Sequence, residues 1–598
     1  MVNREKQIRD AEELLGHGQT LGFAHGLFFG RYLDKALLPY PNLTADASVN
    51  QAVEDVRKFC QEQIDPVKID RDADIPRSVI DGLGKLGVLG WAVPKEGGGQ
   101  GRNQQSYCRV LELIGARCAG TAVFVNAHHS IGVRALVLFG TEAQQKKWLP
   151  KLVTGEHLGA FALTEPEAGS DAANVQTTAK PTPDGKGFLL NGQKRYITNA
   201  SIAQVLTVMA RTPAENGKDS KISAFLVTPE MPGFEILEAR MDKLGIRGTA
   251  TSRLKFTDMF VPKENILGPQ GKGLKVALTV LDFGRTTFGA SCTGAAKFCV
   301  EKAVEHAKTR VQFGETLGSF ELVKQKLAHM ASGAYAMEAA TYQTAALIDS
   351  GTDDYMLETA MLKVFATDVL WQIINDTIQI YGGKAYFTDE PFERMLRDAR
   401  INTIGEGAND VLRAMLISMV GLRNVGLELK GVLDALSMPI FHFGKLRRFA
   451  SRRLGQTLFS PEPRVHSDAI IEDASQLGRT VGLFGTHVER FLGQVGGNPL
   501  KLKDVNVNAL AMKAMQQQYQ LARIADCATE LYVSACVLSR LDHTLSQPQF
   551  DKPERHRQLQ LGLHYLRTAD RRIRSRLSEM FDNDDSLTTA TANLLLGK

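Results

Sequence analysis

No two of the seven cysteines, Cys60, Cys108, Cys118, Cys292, Cys299, Cys527 and Cys536, stand in a CxxC pair, and their number is odd. Cysteines scattered this way through a large chain argue for a reducing compartment rather than a disulfide framework, and no metal site is expected. No uninterrupted run of about 18 apolar residues is present, so no transmembrane helix is expected. Neither charge dominates: 71 basic residues face 66 acidic ones, a net charge of +5. Nucleic acid is therefore not an expected partner. The opening "MVNREKQIRDAEELLGHG" lacks both the apolar core of a signal peptide and the acid-poor character of a transit peptide. No repeat recurs at a solenoid period.

What is present is a chain of 598 residues, 43% hydrophobic and 23% charged. That composition reads as soluble and globular, and the length exceeds one ordinary domain. Texture divides it. Residues 1–46 form an N-terminal arm in which "GLFFGRYLDKALLPYP" is apolar enough to dock. Residues 47–160 carry helical spacing, as in "VNQAVEDVRKFCQEQI" and "SYCRVLELIGARCAG". Residues 161–270 turn to short alternating runs bounded by Asn, Gly, Pro or Asp: "GFLLNGQKRYITNA", "QVLTVMART", "KISAFLVTP" and "TSRLKFTDMFV". These read as strands of a compact β domain. Long helices return over 271–428, and 429–598 is again helical, "ALAMKAMQQQYQLARIADCATELYVSACVLSRL" being its clearest segment. Helices, sheet and helices in that order predict separate layers rather than βαβ winding. The fold class expected is mostly α with a central β domain and a further C-terminal helical domain.

Five stretches carry candidate chemistry. "FALTEPEAGSD" (161–171) offers the hydroxyls of Thr164 and Ser170 and a Gly-Ser turn able to aim backbone N–H groups at an anion or carbonyl. "YITNA" (196–200) puts Tyr196 and Thr198 on one face of a strand, where they could cover a flat ring. Arg310, in "RVQFGETLGSF", sits at a helix end and could hold a phosphate. Gly382 and Gly383, in "QIYGGKAY", interrupt a helical stretch, as a C-cap or as backbone pressed on a ligand. In "RINTIGEGANDVLRAM" (400–415), Glu406 stands between two glycines. It is either part of a capped helix start or a general base with room to reach a substrate. Each stretch alone has an ordinary reading as a turn, cross-strand pair, solvated helix end or cap.

Together and in this order, "FALTEPEAGSD", "KLGIRGTATSRLKF", "RVQFGETLGSFELVKQKLAHMA", "QIYGGKAY" and "IGEGAND" resemble the acyl-CoA dehydrogenase family. The arm, the segment "AHHSIGVRALVLFGTEAQQKKWLPKL" and the C-terminal extension resemble its very-long-chain branch. The resemblance implies FAD as cofactor and α,β-dehydrogenation of a long-chain fatty acyl-CoA. It implies Glu406 as catalytic base, with electrons passing to an electron-transfer flavoprotein. By the same resemblance Phe161, Leu163, Thr164, Gly169 and Ser170 line the flavin, Ser170 also near the acyl-CoA. Tyr196 and Thr198 lie on the flavin's other side. Arg310, Phe313, Gln379 and Gly383 hold the FAD of a neighbouring subunit, which makes a homodimer the expected minimum. Ala408 and Asp410 complete the cofactor set. Asp282, Arg285, Gly405 and Gly407 flank the substrate. An oxidase using oxygen, or an assembly or scaffold protein derived from the family, are the alternative readings.

Three positions depart from the family pattern. Gly405 stands where relatives carry Tyr or Phe, Ala408 where they carry Thr, and Tyr196 where Trp or Leu is common. Gly405 is expected to open space beside the thioester or alkyl chain. In the extension, "FHFGKLRRFASRRLG" (441–455) interleaves Phe with Arg and Lys and contains no acid. It reads equally as a basic amphipathic segment on anionic lipid or as a helix packed by its Phe face. "RTADRRIRSRL" (567–577) reads as a solvated helix face. The compartment expected is the cytoplasm of a bacterium or the mitochondrial matrix, with peripheral inner-membrane contact as the further reading.

Overall fold

The computed structural model describes residues 22–37, 39–213, 220–352, 354–437, 462–496, 507–547 and 550–597. The basic segment 441–455 lies outside them.

Helix α1 (Phe23–Phe28) belongs to the N-terminal arm. The first helical layer comprises α2 (Ala47–Gln63), α3 (Pro66–Asp72), α4 (Arg77–Lys85), α5 (Gln104–Arg117), α6 (Ala119–Phe139) and α7 (Glu142–Leu152). Their starts follow local chemistry. The Asp46 carboxylate accepts from the Ser48 and Val49 N–H groups, Asp65 caps α3 ahead of Pro66, and Thr141 and Gln144 form a capping box. Helix α6 is long and apolar enough to cross a membrane by length and composition, but it is mostly buried inside the protein. It is a core helix. Its middle, Asn126–Val133, is wound as π-helix.

The central sheet has the order β6-β7-β3-β2-β4-β5-β8, with β1 (Gly159–Ala162) parallel to β4 (Val205–Pro213). Its longest ladder joins β3 (Gly187–Thr198) antiparallel to β7 (Thr251–Pro262). The other strands are β2 (Thr178–Pro181), β5 (Ser220–Val227), β6 (Phe234–Glu238) and β8 (Ile266–Leu267). One apolar cluster joins Met209, Ile222 and Ala224 of the sheet to Ile131 and Leu136 of α6 and to Val276 and Val280 of the next helix. The sheet is thereby locked to the helices that carry the site.

That next helix is α8 (Gly273–Thr309), followed by a two-stranded hairpin of β9 (Val311–Gln312) and β10 (Glu315–Thr316). The hairpin leads to α9 (Glu321–Asp349), α10 (Met356–Tyr381), α11 (Phe392–Arg400) and α12 (Asn409–Val411). From α12 the chain passes through π-helical turns, Leu412–Ser418, into α13 (Met419–Ser437). The extension supplies α14 (Ile471–Gly496), α15 (Val507–Met515), α16 (Gln518–Ser546), α17 (Lys552–Glu579) and α18 (Asp585–Leu595). The segment read as one helix from Ala509 to Leu541 breaks at Gln516–Gln517, where two short turns close on Lys513 and Ala514.

The extension shares one continuous core with the four-helix layer: Met337 and Phe365 lie in the same cluster as Ile524, Tyr532, Leu538 and Tyr565. Ionic links reinforce it. Glu338 is held by Arg540 at 2.7 Å and Lys297 at 2.9 Å, and these cations keep its carboxyl down at about 2 despite burial. The 567–577 arginines are not simply solvated. Arg567 pairs with Asp473 at 3.0 Å and Arg572 with Glu530 at 2.7 Å, cross-linking α17 to α14 and α16.

The arm docks into the same core. Phe28 is fully buried edge-on to Phe484 at 5.4 Å, and a Cβ at Gly421 would lie 2.2 Å from its ring. Phe28→Ala is expected to cost about 3–5 kcal/mol. It should appear as a lower urea midpoint and as faster proteolysis of the arm.

Candidate active site

The base loop is built by a chain reversal. After α11, the N–H groups of Ile404 and Gly405 both close on the Ile401 carbonyl, at 2.9 and 2.8 Å. Glu406 then adopts φ +56° and Gly407 φ +96°. A left-handed conformation costs a non-glycine residue about 1 kcal/mol and recurs at functional positions. Gly407 is required by its φ, and a Cβ there would also press on Leu412 at 3.0 Å. Gly405 is under no such constraint: a Cβ would meet only Ile401, at 3.6 Å. The loop is tied down from below by Lys363 of α10, which is fully buried. Its Nζ donates to the Gly407 carbonyl at 2.7 Å and to Asn409 Oδ1 at 2.8 Å. Asn409 in turn donates to Thr367 and Asp368.

The Glu406 carboxylate points inward. Its Oε1 accepts from Asn126 Nδ2 at 2.6 Å, while Oε2 is buried with no hydrogen-bond partner among the described residues. A Cβ at Gly284 of α8 would stand 2.8 Å from Oε2, so only glycine leaves this oxygen room. Burial pushes the carboxyl up to about 7; Lys363, Arg285 and the Asn126 bond pull it partway back. Burial likewise depresses Lys363 to about 8, against the opposing attraction of Glu406. Arg285 is buried beside the site and pairs with Asp282 at 2.9 Å, and Asp282 also accepts from Thr359 at 2.8 Å. The Arg285 Nε is buried without a hydrogen-bond partner among the described residues.

One helical turn beyond Gly284 on α8, Phe288 begins the wall of a cavity of about 720 Å³. Cys292, Ala295, Val123, Ala399 and Asn402 continue it. Its far rim carries exposed charged residues such as Arg57, Asp65 and Glu301. The cavity is of ligand size, and Glu406 and Gly284 are not among the residues that line it.

The sheet supplies a separate candidate surface. After β1, Glu165 and Ala168 bond each other's backbone in a tight turn. That turn is anchored by the buried Glu165 carboxylate, which accepts from Lys194 Nζ at 2.7 Å and Thr177 Oγ1 at 2.6 Å. The Arg195 N–H bonds the Thr164 carbonyl at 2.9 Å, so "FALTEPEAGSD" and "KRYIT" lie side by side. Phe161, Leu163, Thr164 and Thr198 are half-buried on this surface, and Ser170 is exposed. No described residue lies within 4 Å of where a Gly169 Cβ would sit. Tyr196 does not follow simple strand alternation. A register shift between Lys194 and Ile197 bulges the strand there, giving Tyr196 φ +62° and 57% exposure, with Arg195 over its ring at 4.8 Å. An apolar surface with hydroxyls at its edge and an unobstructed backbone fits a flat heteroaromatic ring such as FAD's.

The remaining expected cofactor residues lie elsewhere. Arg310, Phe313, Gln379 and Gly383 are all exposed at the far ends of α8 and α10. Arg310 is 25 residues beyond Arg285 along one helix, roughly 38 Å away. Phe313 is 95% exposed on the β9–β10 turn at φ +55°, and no described residue stands within 4 Å of a Cβ at Gly382 or Gly383. Within one chain these four residues do not meet the base. Ala408 is half-buried beside the base loop, and the Asp410 side chain is fully exposed.

Asn126, Gly284, Thr287 and Lys363 were not anticipated as site residues. Lys363 had a signal, a lone charge inside the apolar run "AMLKVFA". Asn126 had none, because the π-helical turns around it break the 3.6-residue period that would have assigned its face.

Comparison with known proteins agrees along the chain. Family models match as acyl-CoA dehydrogenase N-terminal domain over residues 47–156, middle domain over 160–259 and C-terminal domain over 271–420. The ACAD9/ACADV C-terminal domain matches over 504–593. The human very long-chain specific acyl-CoA dehydrogenase, mitochondrial, is 36% identical over 536 residues, covering 88% of this chain and 80% of that protein. A probable acyl-CoA dehydrogenase, FadE10, of Mycobacterium tuberculosis is 31% identical, covering 100% and 91%. The crystal structure of a Bacillus anthracis acyl-CoA dehydrogenase complexed with FAD superposes with a TM-score of 0.79 at 28% identity, covering 96% and 95%.

Proposed function

The chain belongs to the acyl-CoA dehydrogenase family, and from that premise we propose that Glu406 is the base that takes the α-proton of a long-chain fatty acyl-CoA. The overall reaction is FAD-dependent α,β-dehydrogenation of the acyl group. The observation that carries the assignment is the Glu406 Oε2: buried, without a hydrogen-bond partner among the described residues, and facing Gly284. A carboxylate held near 7 can take a proton at neutral pH and return it to solvent afterwards. The Glu406 backbone N–H, aimed by a left-handed residue between two glycines, is the donor assigned to the thioester oxygen, where such a contact is worth about 3 kcal/mol in the transition state. Arg285, whose Nε has no partner among the described residues, is assigned to the CoA side of the substrate. Phe161, Leu163, Thr164, Gly169, Ser170, Tyr196 and Thr198 are assigned to the isoalloxazine and its surroundings. FAD, when bound, supplies the acceptor for the hydride from Cβ.

The cavity of about 720 Å³ supports a long acyl chain. The distance of Arg310, Phe313, Gln379 and Gly383 from the base supports their serving a second copy's cofactor, hence a homodimer. An electron-transfer flavoprotein is the acceptor proposed, and lipid contact through 441–455 rests on its composition. Both a bacterial cytoplasm and a mitochondrial matrix fit the relatives.

The purified protein is expected to be yellow, to elute as at least a dimer and to bleach with palmitoyl-CoA. An electron-transfer flavoprotein should reoxidise it faster than oxygen does. Because the active base is deprotonated, bleaching should be level above about pH 7 and fall about tenfold per unit below it. A colourless protein, or bleaching independent of pH through this range, would contradict the assignment.

A further inference from the structure

Resting on the reading of Glu406 as base, we propose that Asn126 is a positioning residue that commits one oxygen of Glu406 to the protein and leaves the other for the substrate. The bond from Asn126 Nδ2 to Oε1 is 2.6 Å and part-buried, and Asn126 and its other partner Thr287 are both buried. The amide has one orientation. Its Oδ1 accepts from the Thr287 hydroxyl, so its nitrogen must face the carboxylate. Thr287 Oγ1 lies 3.1 Å from Ser130 Oγ, which can donate in turn. In the direction Ser130, Thr287, Asn126, Glu406, every side-chain donor has an acceptor and the chain ends on a carboxylate. If Thr287 donated instead to the Gly284 or Phe283 carbonyl, each about 3 Å away, Asn126 Oδ1 would lose this donor.

A carboxylate with both oxygens free can rotate about its last bond. Pinning Oε1 fixes Oε2 against Gly284, where no described residue hydrogen-bonds it. Precise placement of a base matters because small misplacements in a reactive geometry cost large factors in rate. The other charges facing the site cannot do this. Arg285 on α8 is committed to Asp282, and Lys363 on α10 to Gly407 and Asn409. Near Asn126 on α6, His128 is kept neutral by burial, down at about 4, and bonds the backbone of Gly159 and Leu152. His129 is also held neutral by burial. Asn126 is thus the side chain that touches the carboxylate with a hydrogen bond, as a neutral donor.

The test compares FAD-loaded Asn126→Leu and Thr287→Val enzymes with wild type, following bleaching by palmitoyl-CoA across pH. Asn126→Leu is expected to lower the limiting rate about tenfold. It should also move the midpoint of the acid limb up by roughly half a unit to one unit, because a donor that favours the charged carboxylate is gone. Thr287→Val, which leaves the amide in place but unanchored, should move both in the same direction by less. The midpoint read from the pH dependence of thermal unfolding should move with them. Asn126→Asp puts a second carboxylate against the first and should be nearly inactive at neutral pH. Glu406→Gln separates the two readings. If Glu406→Gln retains activity, the base assignment fails. If it is inactive while Asn126→Leu and Thr287→Val keep the wild-type rate and midpoint, the positioning role fails. A change confined to KM or chain-length preference, with the midpoint unmoved, would also overturn it in favour of a residue that merely lines the cavity.

Discussion

Glu406→Gln is expected to slow bleaching by palmitoyl-CoA by about 10³-fold or more while the protein still binds FAD, since a positioned general base contributes about 10²–10⁴. The amide oxygen can still accept from Asn126, so the loop has no reason to rearrange. The same change should alter stability with a definite sign. The Glu406 carboxyl stands at about 7 in the folded protein against an ordinary 4.5. Between those values the folded chain binds the proton and the unfolded chain has released it. Wild-type stability therefore falls as pH rises from 4.5 to 7, by up to about 3 kcal/mol from this group. The glutamine variant lacks this loss. Thermal unfolding at pH 5 and pH 8 should show the difference between variant and wild type moving in the variant's favour at the higher pH. A constant difference would mean that the carboxylate is better solvated than its surroundings imply.

Lys363→Met is the second large effect. The ammonium holds the Gly407 carbonyl and Asn409 Oδ1 in a fully buried position, so its removal orphans two acceptors and strips a cation from beside the base. Removing one partner from a buried charged network costs about 3–5 kcal/mol. Because Lys363 is the leading attraction that lowers the Glu406 carboxyl, the acid limb of the bleaching profile should also move above 7. Activity at neutral pH should then fall about tenfold or more. Retained stability together with an unmoved limb would show that the loop is held by its glycines and its turn alone.

The layer order and most strands were legible because they depend on local periodicity. "QVLTVMART" and "TSRLKFTDMFV" became β4 and β7, and the long apolar helices 273–309 and 356–381 followed their spacing. Legibility failed where geometry leaves the regular period. Tyr196 lies on a bulge, and Asn126 on π-helical turns, so neither face could be assigned by counting. Residues that act by removing atoms, such as Gly284, carry no chemical label; only the neighbouring Oε2 reveals what the missing Cβ permits. The arginines of 567–577 looked solvated because their partners Asp473 and Glu530 are 94 and 42 residues away in sequence from Arg567 and Arg572.

The base is approached by two helices that are underwound in the same unusual manner, at Asn126–Val133 and at Leu412–Ser418. An α-helix advances its face by about 100° per residue, and a π-helical stretch holds extra residues within the same rise. A substitution in either stretch leaves the helical register unchanged, whereas insertion or deletion of a single residue would swing the downstream face by roughly a quarter turn or more. Among homologues, chain length through these two windows should be held more tightly than identity. A relative with a gap in either one is a candidate for having moved its proton acceptor to another helix.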